Sequence, residues 1–292
     1  MLKSTLQRAR SFLRRAWRSA RMVSNGSPLS EADILSGLQA LPFGPPRTVM
    51  VHSSLSACGF IRGGASTVIR ALRAWNPGGT LAMPAHSYCY PDARGFVPVF
   101  DPERTPSRVG AVTDEFWRQP GVRRSLHPSH SLACEGPGAA SLIAGHELCE
   151  TSCGAGTPYR KLVDQDAGVL MFGVTLNAYT LFHTAEDAAA APYLYERNLC
   201  VLKVRFPGGE PQDYPLRRQD MKVVRRFAAM DVWLEARGLL QRRRCGRGEI
   251  LWLPHVAAVH EAVTTALRAE PWLLVEPSAR PVAPALQVVS PV

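Results

Sequence analysis

The sequence predicts an α/β fold, and three observations carry that expectation. Residues 48–84 read as strand, polar loop, helix, turn and strand, the order of a βαβ unit. The apolar run 169–172 is cut by Gly173 and reads as a buried strand feeding a polar crossing. At 292 residues with 46% hydrophobic content, the chain can bury one sizeable core or two small ones.

Each element follows from local chemistry. In residues 1–22, Leu2, Leu6, Ala9, Phe12, Leu13, Ala16, Trp17 and Ala20 share one helical face, and the basic residues lie off it. Residues 23–28 are small and polar, a linker. Ser30-Glu31-Ala32-Asp33 caps a short helix ending near Gly44. A strand over 48–51 leads into His52-Ser53-Ser54-Leu55, then Gly59, Gly63 and Gly64, then a helix over 65–75. Asn76-Pro77-Gly78-Gly79 is a turn, and a second strand over 80–83 ends at Pro84. Residues 88–108 read as a long surface loop, followed by a helix over 109–118 and a polar cluster over 123–131. After the 169–172 strand, a helix-compatible segment carries His183 and Glu186 at i, i+3 and continues to about Ala191. A strand over 200–206, a turn at Gly208-Gly209 and a helix over 220–237 follow. The predicted organisation is a basic amphipathic helix (1–22), one main domain (23–276) and a Pro-rich disordered tail (277–292).

The charge is unevenly placed. Of the formal +10, the seven basic residues of 1–22 account for all but +3, and that segment holds no acid. An acid-free amphipathic helix suits an anionic membrane surface, with a partner protein or the body as the other dockings; mitochondrial transit peptides share the composition. The tail is too local to make a nucleic-acid surface, so no nucleic-acid partner is expected. A second basic cluster, Arg242, Arg243, Arg244 and Arg247, reads as a solvated face. The seven cysteines are odd in number and lack CxxC spacing, which fits reduced thiols in a cytoplasmic protein. No apolar stretch reaches the roughly 20 residues of a membrane span, and no secretory h-region follows the basic start.

Three loops carry unusual polar chemistry. In 52–64, small residues and glycines let backbone N–H groups approach an anion, although the pattern is neither a P-loop nor GxGxxG. In 123–131, the arginine pair suits phosphates, and His127-Pro128-Ser129-His130 resembles a metal-ligand pair without a third ligand at matching spacing. No metal is therefore expected. The third loop, 173–186, delivers His183 beyond a strand end, where ligands of α/β proteins sit.

Together these residues resemble the aminoglycoside 3-N-acetyltransferase family. The resemblance rests on four motifs in order: His52-Ser53-Ser54-Leu55 with Gly63-Gly64; Arg124-Ser125-Leu126-His127-Pro128; Gly154-Ala155-Gly156-Thr157-Pro158; and Thr180-Leu181-Phe182-His183-Thr184-Ala185-Glu186. It covers roughly residues 30–270. It implies a three-layer α/β/α fold with a mixed central sheet, distinct from the GNAT acetyltransferases, and transfer of acetyl from acetyl-CoA to an amine on a sugar ring. By the same resemblance His183 is the general base, and Thr180 sits near the thioester carbonyl as an oxyanion donor. Asp231 orients the histidine, with Glu186 as the competing orienter. His52, Ser53, Ser54, Leu55, Gly63, Gly64, Arg124, Ser125 and His127 hold the pantetheine and phosphates of the cofactor.

The residue types suit that chemistry. A sugar ammonium must lose a proton before it attacks, which calls for a base near neutrality, and a carboxylate on the far ring nitrogen fixes the tautomer. Charge developing on the thioester oxygen needs a placed donor. Direct transfer in a ternary complex is expected, since no covalent cysteine is called for. The acceptor stays open between an aminoglycoside and an amino sugar of surface-polysaccharide or secondary-metabolite assembly. The mildly basic body and the balanced charges of 88–108 favour the latter, because a polycationic drug favours a carboxylate-lined cleft. The basic tail adds a peripheral position at the inner face of the membrane. Two other classes compete: a thioester hydrolase using His183 and Asp231, and a non-catalytic membrane-associated binding protein.

Overall fold

A computed structural model describes residues 28–280. The expected amphipathic helix of 1–22 and most of the Pro-rich tail lie outside these residues.

The first elements form where the local signals place them. Helix α1 (Glu31–Gln39) starts at a capping box in which the Asp33 amide donates to Ser30 Oγ and the Ser30 amide donates to Asp33. Strand β1 (Thr48–Ser53) is buried along its whole length, and helix α2 (Gly64–Trp75) returns the chain to β2 (Thr80–Pro84), which pairs parallel to β1. The stretch 88–108 is not wholly a surface loop. It contains β3 (Val99–Phe100), with Phe100 fully buried. Next come α3 (Ala111–Phe116), β4 (Arg123–Arg124), β5 (Leu132–Glu135), α4 (Ala139–Ile143) and α5 (Pro158–Asp164).

Strand β6 (Gly168–Phe172) lies parallel to β1 on the side opposite β2, and α6 (Phe182–Ala188) follows it. The chain continues through β7 (Cys200–Arg205), β8 (Pro211–Leu216), α7 (Met230–Glu235), β9 (Gln241–Cys245), β10 (Gly248–Leu253) and α8 (Val256–Ala269). The predicted helix over 220–237 is a correction. Only 230–235 are α-helical, after a 3-10 turn at Phe227–Ala229. Asp220 there accepts from the Lys222 amide, and Asn177 accepts from the Ala228 amide; such side-chain bonds compete with helical ones.

The main sheet is mixed, in the order β4-β5-β2-β1-β6-β10-β9, with a parallel centre (β2-β1-β6) flanked by antiparallel pairs; β3, β7 and β8 form a second, smaller sheet. Successive strand residues enter different cores, as a period of two requires. Val49, Val51, Leu81, Met83, Leu170 and Phe172 pack with residues of α1, α2 and α3. Met50, Ala82, Val169 and Met171 pack with residues of α4 through α8. The three central strands are buried along their whole length and apolar except for Thr48, His52 and Ser53 of β1 and Thr80 of β2.

Candidate active site

The parallel strands β2, β1 and β6 end on one edge, and β1 has its partners on either side with a crossover on one of them. That is a topological switch point, where open α/β sheets leave a crevice. A cavity of about 210 Å³ occupies it, bordered by His52 and Ser53 from the end of β1, by Pro84 and His86 past β2, and by Val174, Thr180 and His183 past β6.

His183 and Glu186, one helical turn apart on α6, face each other with Nδ1 2.5 Å from Oε2. Glu186 is completely buried, while the His183 side chain keeps 14% of its surface and borders the cavity. Burial alone would raise the Glu186 pKa, but His183 and Arg225 outweigh it and hold the carboxyl below its usual range. With Nδ1 directed at Glu186, Nε2 has no protein partner among the described residues and is the nitrogen left to meet a substrate. Phe227 packs edge-on against the imidazole, with centroids 5.2 Å apart.

Asp231 does not reach His183. It lines a separate depression and pairs with Arg242 at 3.2 Å. Arg242 also binds Glu235 and Glu249, so it is a structural hub, whereas Arg243, Arg244 and Arg247 are exposed, as a solvated face would be. Thr180 is buried, borders the cavity and accepts the His183 amide at 3.1 Å through its carbonyl.

The residues expected to hold cofactor divide sharply. His52 and Ser53 border the cavity, and their Nε2 and Oγ atoms are buried without partners. Desolvation lowers the His52 pKa to about 3, so it is a neutral imidazole. Ser54 caps the strand end through its amide to the Phe172 carbonyl, and Leu55 packs against a core. Gly63 and Gly64 start α2 with φ of 80° and 64°; a Cβ on Gly63 would lie 2.5 Å from the Thr67 hydroxyl oxygen. Neither glycine borders the cavity.

Arg124, Ser125 and His127 face inward, against expectation. The Arg124 guanidinium donates to the Ser131 hydroxyl and to the Thr105 and Ala85 carbonyls, lying against Phe100 and Trp117. The Ser125 hydroxyl serves the Leu132 amide and His146. His127 is fully buried, its Nδ1 accepting from the His130 amide at 2.9 Å. Apart from His127 Nε2, which is buried without a partner, their polar groups bond within the 123–131 loop and to its neighbours.

Two more histidines border the cavity: His86, which the sequence did not single out, and His130, which it offered only as half of a metal-ligand pair. His86 receives the Tyr88 hydroxyl at Nδ1 (2.9 Å) and donates from Nε2 to Tyr159 (2.8 Å), whose own hydroxyl donates to the His130 carbonyl. His130 borders the cavity beside it, and burial with the nearby His183 lowers its pKa to about 3. His86 had a signal, since it follows a predicted strand end as His52 does. His130 was visible as part of the 123–131 polar loop, but its place at the cavity follows from the pairing of β5 with β2, which no local pattern encodes.

The aminoglycoside 3-N-acetyltransferase family model matches residues 50–266. Aminoglycoside N(3)-acetyltransferase IV of Salmonella sp is 35% identical over 214 residues, covering 72% of this chain and 76% of that protein. A variant of aminoglycoside acetyltransferase AAC(3)-IVa in complex with a gentamicin superposes with a TM-score of 0.75 at 28% identity, covering 86% of this chain and 93% of its own. The binary complex of AAC-IIIb with CoASH gives a TM-score of 0.72 at 28% identity, covering 83% and 97%.

Proposed function

The chain belongs to the aminoglycoside 3-N-acetyltransferase family, a family of acyltransferases, and on that premise we propose that it transfers acetyl from acetyl-CoA to an amine of an amino sugar with His183 as general base. The observation that carries this reading is His183, set between the buried carboxylate of Glu186 and an open cavity. The acceptor attacks as the free amine, and Nε2 takes the N–H proton that becomes acidic as the amine nitrogen adds to the thioester carbonyl. Glu186, accepting from Nδ1–H, fixes the tautomer and stabilises the imidazolium that forms. Thr180 is our choice of oxyanion donor, supported by its place on the cavity wall beside His183. The tetrahedral intermediate then collapses, and as the C–S bond breaks the His183 imidazolium returns its proton to sulfur, so that CoA leaves as the thiol and the amide remains. His52 and Ser53, with unpartnered polar atoms at the cavity, are the best-supported contacts to the pantetheine arm.

We read the fold as the three-layer α/β/α arrangement, distinct from GNAT, on the support of the two cores served by alternate strand residues. The main domain spans 23–276 in this reading. Relatives name an aminoglycoside as acceptor, and that is the first acceptor we propose. A second, an amino sugar of surface-polysaccharide or secondary-metabolite assembly, is favoured by the cavity wall, to which the described residues contribute no Asp or Glu to meet a polycation. Assays with gentamicin-type and nucleotide-linked amino sugars separate the two, and the preferred class should show the larger kcat/KM. His183→Ala should lower turnover at least about a hundredfold while CoA still binds. Turnover like that of the wild type would end the general-base reading.

No described helix is long and apolar enough to cross a membrane. Peripheral attachment through residues 1–22 is a separate proposal resting on their basic amphipathic pattern. Sedimentation with anionic vesicles, with and without those residues, tests it, and equal recovery of both forms would refute it.

A further inference from the structure

The carboxylate behind His183 has a second partner that the steps above leave unused. Arg225 lies between β8 and α7, 39 residues from Glu186, with only 10% of its side chain exposed. Its Nε donates to Glu186 Oε1 at 3.1 Å, and its Nη1 donates to the carbonyls of Asp220 (2.9 Å) and Val223 (3.2 Å). The guanidinium also sits over the Tyr193 ring, 5.6 Å from its centroid. Bonds to two backbone carbonyls and one carboxylate oxygen fix the group in one orientation.

We propose that Arg225 is a positioning residue for acetyl transfer: its charge keeps the His183–Glu186 pair in the state with a neutral imidazole and an ionised carboxylate. The inference rests on the reading of His183 as base. In that state the pair carries one negative charge on a side chain with no exposed surface. Without a counter-charge the ionised carboxylate would stand uncompensated in a buried site, and a proton bound on either partner would relieve it. On the imidazole, that proton blocks base function. On the carboxylate, it removes the acceptor that fixes the tautomer.

The other groups facing the pair do not supply a positive charge near neutrality. Burial pushes the Tyr193 hydroxyl and the Cys153 thiol up, so both stay uncharged. Burial and neighbouring imidazoles hold His86 well below its ordinary range, and His130 is at about 3. Asp187, next along α6, accepts the Tyr195 hydroxyl at 2.6 Å and has no positive charge to offer. A guanidinium keeps its charge throughout the accessible pH range. Arg225 is thus the one permanent positive partner of Glu186 among the described residues.

The test is kcat/KM for acetyl transfer from about pH 5.5 to about pH 9 in the wild type, Arg225→Met and Arg225→Lys. Loss of the charge should move the acid limb up by about one pH unit or more, so Arg225→Met loses roughly tenfold more activity at acid pH than on its plateau. Arg225→Lys should return the limb toward the wild-type position. In a Glu186→Gln background, Arg225→Met should shift the limb no further, because its effect passes through Glu186. Arg225→Gln keeps a donor without the charge and carries the same expectation where the methionine variant does not fold. An unmoved limb in a folded uncharged variant overturns the proposal, as does a lysine variant no better than the methionine one. Full activity in His183→Ala would instead overturn the general-base reading, so the two failures are distinct.

Discussion

Glu186 and Asp231 compete in the sequence for the far nitrogen of His183, and the geometry separates them by what each carboxylate touches. Glu186 sits one turn from the histidine and bonds its Nδ1, whereas Asp231 is held by Arg242. Glu186→Gln should lower kcat by about a hundredfold or more, since an amide cannot stabilise the imidazolium as a carboxylate does. Asp231→Asn should stay within a few fold, because a neighbouring pair with Arg242 is all it disturbs. Parallel kcat measurements decide the matter, and equal losses in the two variants would mean that the pairing is misassigned. The i, i+3 spacing made His183 and Glu186 visible together in the sequence. Arg225 carried no such sign, since 39 residues separate it from Glu186 and no motif surrounds it.

The element that aims the base is the β6–α6 connection, and Gly173 is its pivot. Its φ of 68° lies in the left-handed region, and a Cβ there would meet the Ser54 carbonyl oxygen at 2.8 Å and Cys58 Sγ at 2.9 Å. Gly173→Ala should destabilise the fold by roughly 1–3 kcal/mol, from conformational strain and overlap with the strand-end loop. Urea unfolding checks this, and a midpoint equal to the wild type would contradict it. The Gly154–Pro158 motif also acts through an element: Thr157 caps α5 through the Arg160 amide, and Pro158 opens its first turn. Strands β8, β9 and β10 were hidden from local reading. The arginine run over 242–244 looks like a charged surface segment, and only pairing with β10 makes it a strand.

Across the whole molecule, five of the eight histidines are buried: His52, His86, His127, His130 and His146. Burial lowers the pKa of each, to about 3 for His52 and His130. A depressed folded-state pKa means that the unfolded chain binds the proton first as pH falls. The stability tied to these imidazoles is therefore complete above about pH 6.5 and is lost progressively below it. Each contributes a loss of up to roughly 2 kcal/mol between pH 7 and pH 5, and several together rival the 5–15 kcal/mol of an ordinary domain. Thermal melts should show Tm falling steeply from about pH 6.5 to pH 5. A Tm that is flat over that interval would show that the cluster takes up protons without unfolding.

The sequence by itself determined the α/β class, the βαβ unit over 48–84, the strand 169–172 and the His183–Glu186 turn. In each case the signal is local: a period of two or 3.6, a cap, a glycine at a turn, or two residues one helical turn apart. The tertiary structure decided which polar residues face a cavity and which are spent inside. It brought His52 from β1, His86 from beyond β2 and His183 from beyond β6 to one sheet edge, turned Arg124 and His127 inward, and set Arg225 behind Glu186. Those outcomes depend on strand order and on hydrogen-bond partners far away in the chain, and no local pattern encodes either.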